Sequence, residues 1–320
     1  MGFATLLLFV PFLSFVSSRP PPGHHHDKAR TNILVTNDDG WATAQIRSEF
    51  DALEAAGFNL VLSCPADNRS GTGNSTATPA ILAQPCEFNT CPAGAPATGF
   101  NATDPRLNYV NAFPRDATNF GINTLAPKFF KGKKPDLVVA GSNIGNNLGT
   151  TIQISGTDHA AMEAANLGVP AIAFSGATGS QVSYTALETD PTSAAIVATG
   201  IYNKLTVRLV ETLLKTTEKK AEILPPRTVV NVNYPSTTNC SSAEHFKWVF
   251  TRTVPAPAGT VDVDICRNGG VLVDERTAFA VPGCWVTVSV FSSVTLDDVD
   301  AATQRAVVDV LKPLLRCQHD

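Results

Sequence analysis

Between residues 32 and 235 the chain alternates short unbroken apolar runs with longer stretches in which apolar residues return every three or four positions. NILVT (32–36) reads as a buried strand, IRSEFDALEAAG (46–57) as an amphipathic helix closed by Gly57, and FNLVLSC (58–64) as a second strand. Strand, helix and strand within about 30 residues is the βαβ unit of a parallel sheet, whose crossover is right-handed. Further strands are predicted at DLVVAG (136–141) and VPAIAFSG (169–176), joined by the helix SGTDHAAMEAANLG (155–168). A long helix over 191–217 then leads to the strand RTVVNVNYP (227–235). The pattern predicts an α/β fold: a Rossmann-like open, mostly parallel sheet with helices on both faces.

After Pro235 the pattern turns β-rich, with HFKWVFTR (245–252), GVLVDERTA (270–278) and CWVTVSVFS (284–292) between Gly and Pro turns, and predicts a hairpin-bearing appendage. An amphipathic helix over 297–315 follows, its acidic residues in the first turn where they suit the helix dipole. Residues 84–105 are rich in Pro, Ala, Gly and Thr and read as a loop. The expected organisation is a targeting segment (1–18), a tail (19–31), an α/β core (32–235) and a C-terminal β-rich extension with a final helix (236–320).

The targeting segment rests on residues 2–16, an uncharged run rich in Leu, Phe and Val that ends at Ser17-Ser18. It is shorter than the roughly 20 residues of a membrane span, and small residues stand at its end, so it reads as a signal peptide cleaved after Ser18. A secreted product without a membrane segment is expected. Seven cysteines fit an oxidising compartment. Cys86 and Cys91 are paired by proximity, Cys64 is left free at the end of an apolar strand, and no C-x2-C pair suggests zinc. Sequons stand at Asn68, Asn74, Asn101 and Asn239, the first two within a loop read as catalytic and therefore taken as coincidental. His24-His25-His26 reads as part of a tail. The net charge of −4 argues against a nucleic-acid polymer as partner, and 43 % hydrophobic against 16 % charged residues excludes a disordered chain.

In open parallel sheets ligands bind beyond the carboxyl ends of the strands. After the first strand stands Asn37-Asp38-Asp39-Gly40. Two adjacent carboxylates on a tight turn repel, and a hard divalent cation offsets that repulsion; taken alone, the same turn also reads as a helix cap. After the second strand comes ADNRSGTGNS (66–75), a loop of amides, hydroxyls and glycines with one Arg, suited to wrapping an anion or completing a metal shell. After the third comes SNIGNNLG (142–149), then Ser155-Gly156-Thr157 ahead of a helix, and helix N-termini bind phosphate. Three polar clusters, each just past a predicted parallel strand, converge on one sheet edge.

In their order and spacing, ILVTNDDG, CPADNRSGTGNS, DLVVAGSNIGNNLG and SGTDHAAMEAANLGVPAIAFS resemble the SurE family of metal-dependent phosphatases over about residues 32–176. The resemblance implies one divalent ion per subunit, Mg²⁺ or Mn²⁺, held by Asp38, Asp39, Ser70 and Asn143, and small phosphorylated substrates such as nucleoside 5′- or 3′-monophosphates. Asn37 joins Asp38 and Asp39 as catalytic candidates; Gly40, Gly71, Asn74, Ser75, Asp116, Ser155, Gly156 and Thr157 are the substrate-binding ones. Phe113 stands where the family's site-lining Thr is usual. The expected chemistry is metal-assisted attack of water on phosphorus. His159 is read as solvent-facing and Trp41 as packed. Homodimers or tetramers exchanging C-terminal segments are also implied. Asp38-Asp39 lacks the Asp-x-Asp spacing of haloacid-dehalogenase-type phosphatases, and no G-x-G-x-x-G follows the first strand, which disfavours a dehydrogenase. A secreted carbohydrate- or nucleotide-binding module without turnover is the alternative from another class.

Overall fold

Every residue of the first strand, β1 (Asn32–Thr36), is buried, and the same holds for all but the first residue of β2 (Asn59–Pro65). Strands covered on both faces need such unbroken runs rather than alternation. The intervening helix α1 (Ala44–Ala55) turns Ile46, Phe50 and Leu53 inward, four and three residues apart on one face. The structure, a computed structural model, describes residues 1–2, 31–217 and 222–318. The signal segment and the tail with its three histidines therefore lie, apart from residues 1–2 and 31, outside the described residues.

The remaining strands are β3 (Thr98–Phe100), β4 (Leu107–Val110), β5 (Leu137–Ile144), β6 (Ala171–Gly176), β7 (Thr228–Tyr234), β8 (Lys247–Phe250) and β9 (Trp285–Ser292). They form one nine-stranded sheet in the order β3-β4-β2-β1-β5-β6-β7-β9-β8. From β4 to β7 all neighbours are parallel; β3 is antiparallel to β4, and β9 to β7. The helices after α1 are α2 (Pro114–Phe120), α3 (Ala126–Phe129), α4 (Gly156–Asn166), α5 (Ala186–Thr189), α6 (Ala194–Thr217), α7 (Glu275–Phe279) and α8 (Ala301–Leu311). The core on one face is built from α1, α6 and α8, that on the other from α2, α3 and α4, so the sheet is covered on both sides. Among the described residues no helix is long and apolar enough to cross a membrane.

Three details differ from the sequence-based expectation. The C-terminal strands make no hairpin: β8 and β9 run parallel, and β9 inserts between β7 and β8, so the β-rich segment extends the main sheet. The segment 270–278 is not a strand, because Asp274 accepts a bond from Thr277 N at 3.1 Å and caps α7. The stretch read as a loop over 84–105 holds a 3₁₀ turn at Glu87–Asn89 and the short β3. The cysteines pair as Cys86–Cys91, Cys240–Cys284 and Cys266–Cys317, with Cys64 free and buried.

Sheet order locates the site. β1 hands the chain to β2 on one side, and after β4 the chain returns to β5 on the other. This reversal opens a crevice at the carboxyl ends of β1 and β5, where open α/β sheets bind ligands.

Candidate active site

The turn after β1 places Asp38 and Asp39 in that crevice, 2 % and 1 % exposed. Asp38 Oδ1 accepts a bond from Thr157 Oγ1 at 2.6 Å. Its carboxylate lies against the first turn of α4 so closely that a Cβ on Gly156 would sit 2.7 Å from Asp38 Cβ and 2.9 Å from Oδ2. Asp39 Oδ2 accepts from Ile144 N at 2.8 Å, and Oδ1 from Ser70 Oγ at 3.2 Å and Gln181 Nε2 at 2.5 Å. Asn37 donates through Nδ2 to Gly40 O at 2.9 Å and closes the turn, leaving its own Oδ1 buried and unpartnered.

The loops after the other strands come to the same place. Arg69 N donates to Asp38 O at 2.6 Å, which draws the 66–75 loop over the acidic turn. Gly73 N donates to Ile154 O at 3.0 Å and joins that loop to the segment ahead of α4. Asn143, at the end of β5, adjoins Ile144 and uses Nδ2 on Gly145 O at 2.9 Å, so its Oδ1 is not engaged in that bond. Ser155 caps α4, its Oγ accepting from Asp158 N at 3.1 Å.

Other candidates are held in structural bonds of their own. Asp116 Oδ2 accepts from Phe113 N at 3.1 Å and Ala77 N at 2.8 Å, which caps α2 and anchors the end of the loop. Asn74 Oδ1 accepts from Arg115 Nη1 at 2.5 Å. Ser75 N donates to Thr72 O at 3.1 Å within a turn, and Gly71 holds a positive φ of 74° with open space around it. The Arg69 guanidinium lies over the Phe113 ring, 5.7 Å from its centroid.

Burial drives Asp38 above the ordinary carboxylate range, offset in part by its bonds from Thr157 and Gly156. Asp39 is pushed up to about 7, first by burial and then by the Asp38 charge. Two adjoining buried carboxylates, with the amide oxygen of Asn143 and the hydroxyl of Ser70, offer candidate donors that are all oxygens. Among the described residues no cluster of three or more His, Cys, Asp and Glu side chains is placed to hold a metal. A soft metal has no ligands here, whereas a hard divalent ion suits the oxygen donors, and the buried, unpartnered Asn37 Oδ1 is left to accept from a donor such as water beside them.

Residues not singled out from sequence also shape the crevice. Gln181 follows β6 and reaches Asp39; applying the same post-strand rule to β6 finds it. Glu87 lies in the loop closed by Cys86–Cys91 and approaches Gly40, where an added Cβ would clash with its carboxylate. Burial, with Asp39 and Asp67 nearby, raises it to about 8. His159 is buried rather than solvent-facing, at 3 % exposure, its ring turned back along α4 with Nδ1 2.8 Å from Ser155 O. Trp41 packs against Tyr109, ring centroids 5.2 Å apart, and donates Nε1 to Thr90 Oγ1 at 3.0 Å.

The profile of the family described as Survival protein SurE matches residues 33–257. The chain belongs to the SurE family. An acid phosphatase of Yarrowia lipolytica is 33 % identical over 297 residues, covering 84 % of this chain and 81 % of that protein. A 5′-nucleotidase SurE of Geobacter metallireducens is 36 % identical over 203 residues, covering 63 % of this chain and 64 % of that one. The crystal structure of the SurE protein from Aquifex aeolicus superimposes with a TM-score of 0.53 at 24 % identity, covering 87 % of this chain and 98 % of that one. That likeness establishes a SurE-like mixed, mostly parallel sheet.

Proposed function

We propose that this SurE-family chain is a divalent-metal-dependent phosphomonoesterase that hydrolyses nucleoside 5′- or 3′-monophosphates and other small phosphate esters, as a nucleotidase or acid phosphatase. The relatives named acid phosphatase and 5′-nucleotidase SurE are phosphoric monoester hydrolases, which supports the reaction class. The single observation that carries the proposal is the buried Asp38–Asp39 pair at the switch point, lying against the first turn of α4. A cation balances the pair, and the helix start receives an anion.

In this reading Asp38, Asp39, Ser70 and Asn143 hold one Mg²⁺ or Mn²⁺. When bound, the ion supplies charge stabilisation to the phosphoryl oxygens and acidifies the attacking water. The protein's own groups orient the reactants. Thr157 fixes the rotamer of Asp38, and Gln181 and Ile144 N fix that of Asp39. Asn37, through its unpartnered Oδ1, orients a donor such as the attacking water. The backbone N–H groups at the head of α4 and in the Gly71–Ser75 loop receive phosphoryl oxygens as charge builds in the transition state. Burial holds His159 below the ordinary histidine range, which favours the neutral ring over the charged one.

The proposal includes export after loss of residues 1–18, supported by three disulfides, which persist in oxidising compartments. Homodimers or tetramers would form with β8 and β9 kept in their own sheet, where Cys240–Cys284 also ties them.

The test is a substrate panel of nucleoside monophosphates and p-nitrophenyl phosphate across pH 4–8, with EDTA and after addition of Mg²⁺ or Mn²⁺. Phosphate release lost with chelator and restored by metal is expected. Ligand binding without turnover under any metal would favour a binding module instead.

A further inference from the structure

A groove of about 580 Å³ runs along the flank of α4, from Asn74 and Gln153 past His159 and Met162 to Asn166 and the 293–296 turn. His159 to Asn166 spans about 10 Å of helix at 1.5 Å per residue, and the volume lies within the roughly 300–1,000 Å³ of small-molecule sites. The upper end of the groove adjoins the proposed phosphate loops. Asn74 belongs to the loop after β2, and Gln153 to the turn against which Gly73 packs, where a Cβ would lie 3.1 Å from Gln153 O. A phosphate ester seated at the head of α4 would lie near the upper end of this groove.

Two features define what the groove accepts. Arg115 contributes no free charge: Nε and Nη2 lie 3.0 and 2.5 Å from Glu163 Oε2, and Nη1 bonds Asn74 Oδ1. A neutral organic group suits such a wall better than a second phosphate. His159 contributes a directed acceptor. Its Nδ1 lies 2.8 Å from Ser155 O, and because a carbonyl only accepts, Nδ1 carries the hydrogen. In the neutral ring Nε2 is then a lone-pair acceptor, and no described protein group bonds it.

We propose that this groove is the leaving-group subsite and that His159 Nε2 favours esters whose leaving group brings an N–H or O–H donor, a nucleoside above all, over esters whose leaving group brings none. The inference rests on the phosphomonoesterase reading and adds a specificity-determining residue to it.

Steady-state kinetics on AMP and p-nitrophenyl phosphate test it in the metal-loaded full chain, comparing wild type, His159→Asn and His159→Gln. The asparagine amide can still donate to Ser155 O but removes the distal acceptor, whereas the glutamine amide oxygen reaches toward the Nε2 position. The ratio of kcat/KM for AMP to that for p-nitrophenyl phosphate is expected to fall about five- to tenfold in His159→Asn, the worth of one neutral hydrogen bond. The loss should reside in the KM for AMP, as for binding made equally in ground and transition states, and His159→Gln should recover most of it. An unchanged ratio in folded His159→Asn would overturn the proposal. So would an equal fall on both substrates through kcat, which marks a purely structural role. A wild-type protein inactive on both substrates would instead remove the phosphomonoesterase reading beneath it.

Discussion

Thr157, the second residue of α4, donates its hydroxyl to Asp38 Oδ1 across 119 positions of sequence, at 2.6 Å. One contact thus locks the start of the helix to the end of β1. In the proposed reading, the places for the phosphate and for the metal ion are set by this one bond.

Replacing either carboxylate tests the centre directly. Asp38→Asn and Asp39→Asn keep the shape of the turn and remove charge, and each is expected to lower kcat/KM by more than about a hundredfold, beyond the 10–100-fold typical of residues that only support a metal ligand. Circular dichroism should show the fold retained. Turnover near wild type in either folded, metal-replete variant would contradict the assignment.

Gly156→Ala should damage activity without removing any polar group. The new Cβ would lie under 3 Å from Asp38 Cβ and Oδ2, so the carboxylate or the helix must shift. A fall of at least about tenfold in kcat/KM is expected, since small misplacements of reacting groups are costly. Wild-type kinetics in this variant would show that helix and carboxylate are not tightly coupled.

Two buried acids that are not themselves proposed metal ligands give stability a pH dependence. Burial pushes Glu49 from 4.5 up to about 7 and Asp158 from 3.8 up to about 8. Below their unfolded values both groups are protonated in both states. As pH rises the unfolded chain releases protons that the folded chain retains, so this contribution to stability is lost between about pH 4 and pH 8. In EDTA, the thermal midpoint is expected to fall from pH 5 to pH 8, and Glu49→Gln should flatten the lower part of that slope. A midpoint that rises over this range would refute the expectation.

Removing the Cys266–Cys317 bridge, which spans 51 positions, should cost about 2–4 kcal/mol by freeing the unfolded chain. The denaturation midpoint of Cys266→Ser/Cys317→Ser, compared with that of the oxidised wild type, measures this. The bridge is far in sequence from the acidic turn, so phosphate release below the new midpoint should persist.

Local signals made much of the α/β half readable. NILVT and FNLVLSC are unbroken because they are buried on both faces, and the rule that ligands gather after parallel strands led to the polar clusters at 37–40, 66–75 and 142–149, within which the resemblance to the SurE family picked out Asp38, Asp39, Ser70 and Asn143. The remainder depended on pairing between distant segments. Nothing local to CWVTVSVFS says that it lies antiparallel to β7 and parallel to β8. GVLVDERTA looks like a strand because its apolar half precedes Asp274, a helix starter whose role depends on the bond to Thr277 N. The burial of His159 is hidden for a related reason: nothing local to SGTDHAAMEA shows that the ring turns back onto Ser155 O within the packed fold.

The position of β9 has a consequence for biosynthesis. A chain leaving the ribosome N-terminus first completes the parallel strands early, yet β7 keeps an open hydrogen-bonding edge until Trp285–Ser292 has emerged. A nascent protein halted between Tyr234 and Trp285 would carry most of the candidate site's turns on a sheet able to recruit another copy's strand, so translation of the final segment guards against aggregation as well as completing the architecture.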